Sequence, residues 1–96
     1  MTLENKTTDE VCGVFFEPTK DQRGFGKNRL TPHETVSAGA KRQFTLTETR
    51  WNVRVKDCIG RTIYQRTDLP LGREPILVVT DADAETLLVG GQKYAH

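Results

Sequence analysis

A chain of 96 residues has room for one small domain with a single core and little else. Hydrophobic residues at 35% and charged residues at 28% are those of a globular protein, and they exclude a disordered or fibrous chain. The net charge of +1 conceals an uneven distribution. Residues 1–19 set Lys6 against Glu4, Asp9, Glu10 and Glu17, a net −3. Residues 20–73 hold twelve lysines and arginines against five acids, a net +7, and residues 74–96 set Lys93 against Glu74, Asp81, Asp83 and Glu85, again −3. A basic centre between acidic ends either pairs with those ends or meets an anionic partner.

Residues 1–10, MTLENKTTDE, are polar and read as a loose N-terminal arm without the apolar run of a signal peptide. VCGVFFE (11–17) is an apolar, aromatic run of strand length that ends at Pro18. Residues 18–32 are turn chemistry almost throughout and read as a long loop. After it, TVSAG predicts a short strand with a turn at Gly39, and QFTLT a strand with Phe44 and Leu46 on one face. RWNVRVK (50–56) is the clearest element, with Trp51, Val53 and Val55 alternating against Arg50, Asn52, Arg54 and Lys56. DCIGR turns the chain, TIYQR returns it, and LPLGREP is a further loop. ILVVT (76–80) is apolar on both faces, as expected of a central strand. DADAE then turns the chain into a strand at TLLVGG, and residues 92–96 form a short tail.

Six or seven short strands with frequent turns and no helical period predict an all-β fold. Residues 11–91 are expected to form a small antiparallel β-sandwich, the alternative being a small barrel of OB or SH3 type. No apolar run approaches the roughly 20 residues of a membrane span, so a cytoplasmic or virion location is expected. Cys12 and Cys58 could form one disulfide if the fold brings them together, but without a secretory signal two reduced thiols are the default expectation.

In QRGFGKNR (22–29), Arg23, Gly24, Phe25 and Gly26 fill the first four places of the octamer with which RNA-recognition and cold-shock domains stack bases. The stretch resembles the front half of that motif. Lys27, Asn28 and Leu30 stand where the pattern has an aromatic, a valine and a second aromatic. The resemblance covers about a dozen residues, from FFEPTKDQRGFG, and implies a base-stacking role for Phe25. A second basic feature is the outward row Arg50, Arg54 and Lys56, which Lys41 and Arg42 could extend.

Other patterns carry less chemistry. Asp81, Asp83 and Glu85 alternate as calcium ligands do, but without the glycine and distal glutamate of such loops they read as a hairpin turn. Two cysteines with His33 and His96 do not make a zinc spacing, so no metal and no cofactor are expected. His33, Glu34, Ser37 and the cysteines lack the context of a nucleophile, and no enzymatic activity is expected. A sugar-binding sandwich would require exposed rings at Trp51 or Tyr64.

The reading favoured is a non-enzymatic protein–protein interaction module, an accessory or structural subunit of a larger assembly. A virion protein and a small inhibitor of a host complex both fit, as do a homo-oligomer and a component of a hetero-complex. Its partner is expected to present an acidic surface to Arg23, Phe25, Lys27, Arg29, Arg50, Arg54 and Lys56. The alternative is a small β domain that binds nucleic acid through the same basic loop and strand face.

Overall fold

The alternation of RWNVRVK becomes the middle strand of a three-stranded sheet. The computed structural model describes residues 1–21, 24–71 and 75–83. Its strands are β1 (Thr2–Lys6), β2 (Val11–Pro18), β3 (Lys41–Gln43), β4 (Arg50–Asp57), β5 (Thr62–Pro70) and β6 (Ile76–Thr80). They form two three-stranded sheets, ordered β2–β4–β5 and β3–β1–β6. The fold is small and all-β. The first sheet is antiparallel throughout, with Phe15 opposite Arg54 and Arg54 opposite Gln65. In the second, β1 pairs antiparallel with β3 but parallel with β6, which departs from the purely antiparallel arrangement expected.

Both sheets feed one core. Val14, Phe16, Trp51, Val53 and Val55 come from the first, and Leu3, Leu77 and Val79 from the second. Phe16 sits edge-on to Phe44 at 5.4 Å and to Trp51 at 5.3 Å. The Trp51 indole N–H donates to the Glu48 carbonyl at 2.9 Å, so the ring is buried without an orphaned donor. Trp51 is 3% and Tyr64 6% exposed, which removes the sugar-binding reading that needed either ring at the surface.

The segment read as a loose arm is corrected most. Residues 2–6 form the centre of a sheet, and Leu3 is fully buried. Asn5 explains how so polar a stretch can be internal. Its Nδ2 donates to the carbonyls of Asp9 (2.9 Å) and Val36 (2.8 Å), and its Oδ1 accepts from the amide (3.0 Å) and hydroxyl (2.6 Å) of Thr7. Both donors and both acceptor positions of the amide are satisfied at a site of zero exposure. Val36, expected within a short strand, makes a single bridge to Val11, and its carbonyl accepts from both Val11 N–H and Asn5 Nδ2. One oxygen thereby joins the two sheets.

QFTLT contributes only Gln43 to a strand, while Phe44 enters the core and Leu46 packs against it. β6 was expected to be central. Among the described residues it pairs with β1 alone, and alternation along it buries Leu77 and Val79 but leaves Ile76 64% exposed. A helical turn at residues 81–83 replaces the expected hairpin turn. Asp83 reaches back to accept from the Thr80 amide (2.7 Å) and hydroxyl (3.2 Å), which satisfies the donors at the start of the turn. The expected strand at 86–91 and the tail at 92–96 lie outside the described residues.

Cys12 and Cys58 form a disulfide, which corrects the expectation of reduced thiols. The reason lies at the end of the β2–β4 ladder: beyond the Val11–Asp57 pair, Cys12 is the extra residue of an irregularity between Val11 and Gly13 and Cys58 opens the β4–β5 turn, and the two stand at a Cα separation of 4.7 Å. Among the described residues, no helix is long and apolar enough to cross a membrane.

Candidate functional site

The ion pairs sort the basic residues. Glu4 pairs with Lys6 (3.4 Å) and Lys41 (3.8 Å), Asp9 with Arg61 (3.1 Å), Glu34 with Arg42, Glu48 with Lys20, and Asp68 with Arg50. The acidic N-terminal stretch thus folds back on part of the basic centre. Lys27, Arg29, Arg54, Lys56 and Arg66 form no ion pair among the described residues. Four of these five belong to the loop and strand row singled out from the sequence.

That loop lies against the β2–β4–β5 sheet. Asn28 bridges to Phe15, the Arg29 amide donates to the Val14 carbonyl at 2.7 Å, and Asn28 Oδ1 accepts from the Val14 amide at 3.0 Å. Asn52, on the outer face of β4, donates to the Gly24 carbonyl at 3.0 Å. Gly26 makes the seat possible. Its φ is +73°, and a Cβ there would strike the Glu17 carboxylate and come within 3.2 Å of the Phe16 carbonyl.

The loop delivers Phe25 to the row. The Arg54 guanidinium lies 4.1 Å from the Phe25 ring centroid, and Arg54 Nε donates to Gln65 Oε1 at 2.9 Å. One strand position further along, Lys56 Nζ stands 5.6 Å from the Phe15 ring centroid. The cross-strand register sets Phe15 beside Arg54, so two half-buried rings and two half-buried cations interleave on one surface. Gly13, opposite Lys56, leaves the room: a Cβ there would come 2.8 Å from the Phe15 ring. Exposed Lys27 follows on the same loop.

No protein-family model, curated protein or solved structure matches the chain.

The remaining predicted contact residues are placed elsewhere. Arg50 is held by Asp68 in a two-pronged contact (2.6 and 3.1 Å), which keeps the Asp68 carboxyl below its ordinary value and raises the Arg50 guanidinium. Asn52, buried beneath the loop, separates Arg50 from Arg54, so the outward row is interrupted. Arg29 turns to the edge of the core, its guanidinium 4.5 Å from the Phe16 ring and donating to the Phe16 carbonyl at 2.9 Å. Lys41 and Arg42 lie on β3, in the other sheet, and do not extend the patch. Arg23 lies outside the described residues.

Phe15 and Gln65 were not singled out from the sequence. The signal for Phe15 is that Val14 and Phe16 both face the core, which forces the residue between them outward. The other chemistry-bearing positions do not converge. His33 and Ser37 are exposed, Glu34 is engaged by Arg42, and the two cysteines are bonded to each other. Asp81 accepts from the Thr8 amide at 3.1 Å, and no group of metal-ligating side chains forms among the described residues. A groove of about 1020 Å³ lies between Met1, Phe44, Leu46, Leu71 and Ile76, with Glu48 as its one carboxylate among the described residues.

Proposed function

We propose that the chain is a non-enzymatic interaction module, an accessory or structural subunit that docks an acidic protein surface on the outer face of the β2–β4–β5 sheet. One observation carries the reading. Arg54 and Lys56 lie against Phe25 and Phe15 on one face, with exposed Lys27 on the loop that carries Phe25, while most other cations among the described residues are paired with carboxylates. Cations seated on rings are partly desolvated before a partner arrives, which lowers the cost of docking against carboxylates. Charge complementarity of this kind sets orientation and speed of encounter more than raw affinity.

A second reading has its own support. Two aromatic rings on a sheet surface suit stacking of single-stranded bases, in keeping with the four motif residues from Arg23 to Gly26. The docking reading ranks first because the Arg54 guanidinium already covers a face of the Phe25 ring.

The test is a pull-down from native lysate by the wild type and by the Lys27→Glu, Lys56→Glu variant, each with and without nuclease. The reading expects the same proteins to persist after nuclease and to be lost with the variant. Protein partners retained by the variant would remove this face from consideration. Binding that collapses with nuclease would establish the nucleic-acid reading, with Phe25→Ala then expected to weaken it more than either lysine change.

A further inference from the structure

Cys58 is exposed in the β4–β5 turn, whereas Cys12 is half-buried on β2. Beside Cys58 opens a shallow cavity of about 420 Å³, lined by Asp9, Glu10, Asp57, Cys58, Ile59 and Arg61. Asp57 fixes the turn. Its Oδ1 accepts from the amides of Ile59 (3.1 Å) and Arg61 (2.8 Å), and its Oδ2 from Arg61 Nε (3.1 Å). Arg61 Nη2 donates onward to Asp9 at 3.1 Å. Three carboxylates against one guanidinium leave the cavity with a net charge of −2.

The buried end of the bond is tied to the candidate face. The Cys12 carbonyl accepts from Asn28 Nδ2 at 3.1 Å, and Asn28 Oδ1 accepts from the amides of Val14 (3.0 Å) and Leu30 (3.1 Å). The Cys12 backbone is therefore a peg for the loop that carries Phe25 and Lys27. The disulfide pins that peg to the β4–β5 turn.

We propose that the Cys12–Cys58 disulfide is a thiol-exchange site, entered at Cys58 from the acidic cavity, whose opening releases the 24–30 loop. A small thiolate attacks Cys58 Sγ, a new S–S bond forms, and Cys12 departs as a thiolate that takes up a proton. A second small thiol resolves the mixed disulfide. The protein's bond is reduced to two thiols, and the two small thiols are oxidised to one disulfide. The net negative charge of the cavity favours a cationic aminothiol over anionic glutathione. The exchange stands on this geometry alone, while its consequence for docking rests on the function proposed above.

The oxidised chain is treated with cysteamine or with glutathione at equal thiolate concentration. Adducts are located by peptide mass, and amide hydrogen exchange is followed at Arg29 and Leu30, with Val53 and Val55 of β4 as references. Cysteamine is expected to modify Cys58, several-fold faster than glutathione at low salt, with the difference shrinking as salt is added. Arg29 and Leu30 are expected to fall to nearly unprotected exchange, while Val53 and Val55 keep the protection that the remaining global stability allows. An adduct on Cys12, equal rates at low salt, or Arg29 and Leu30 still protected once the bond is open would each overturn the proposal. The Cys12→Ser, Cys58→Ser variant should reproduce the loosened loop without any thiol; if it does not fold, the exchange comparison on the native chain decides. Partner binding that ignores Lys27 and Lys56 would sink the docking reading and leave these amide results standing.

Discussion

The two sheets are held by different means. In the β2–β4–β5 sheet the strands run eight or nine residues, β4 alternates apolar and polar side chains while β2 is apolar nearly throughout, and a covalent bond ties β2 to the β4–β5 turn. In the β3–β1–β6 sheet the strands run three to five residues, and the central one is TLENK. A single buried amide, Asn5, does there what hydrophobic alternation does in the other sheet. The lesson is that a polar sequence can occupy a sheet centre when its side chains complete the hydrogen bonds of neighbouring loops.

The comparison can be broken first at the disulfide. The bond spans a sequence separation of 46, so its removal in the Cys12→Ser, Cys58→Ser variant is expected to cost up to about 4 kcal/mol, read from urea unfolding. A loss below about 1 kcal/mol would mean that the longer strands hold the first sheet without it. Next comes Asn5→Ala, which leaves the buried Thr7 amide without its partner and takes one of two hydrogen bonds from each of the Val36 and Asp9 carbonyls. It is expected to destabilise by about 3 kcal/mol. If Asn5→Ala is as mild as an exposed substitution, β1 is held by Leu3 packing and not by the amide.

Alkaline pH sharpens the contrast at lower amplitude. Burial raises Tyr64 above its ordinary value of 10.0, so the native state favours the protonated phenol. The unfolded chain ionises first, and stability is expected to fall as pH rises past about 10. Melting temperatures at pH 9 and pH 11 should show a smaller alkaline loss in Tyr64→Phe than in the wild type. The smallest effect concerns Arg50 and Asp68. Asp68 lies below its ordinary value of 3.8, so the pair's contribution is present at neutral pH and fades only as acid protonates the carboxylate. Asp68→Asn is expected to shift the neutral melting temperature only slightly and to narrow the gap between neutral pH and pH 3. An unchanged gap would show that the exposed pair adds nothing measurable.

The same contrast explains what was legible in the sequence. The first sheet announced itself because Trp51, Val53 and Val55 recur at the strand period, and VCGVFFE is too apolar for a loop. β1 was hidden because its one large apolar residue, Leu3, is flanked by polar positions whose partners lie at Val36 and Ala40, over thirty residues away. The basic loop and the basic strand were each visible, but their union was not. It depends on Asn28 docking to β2 and on Gly26 clearing the Glu17 side chain, contacts with no local pattern. The disulfide was missed for a related reason, since compartment was inferred from one end of the chain while pairing is set at the end of the β2–β4 ladder.

The parallel pairing of β1 with β6 sets the order in which the molecule can be made. Thr2 pairs with Ile76, so β1 cannot complete its ladder until β6 has been added. Closing so long a separation is entropically costly and slow beside hairpin formation. The β4–β5 hairpin can form in the meantime, while TLENK waits with its β6-facing edge unpaired. Its polar composition, which concealed it as a strand, is also what keeps it from aggregating while it waits.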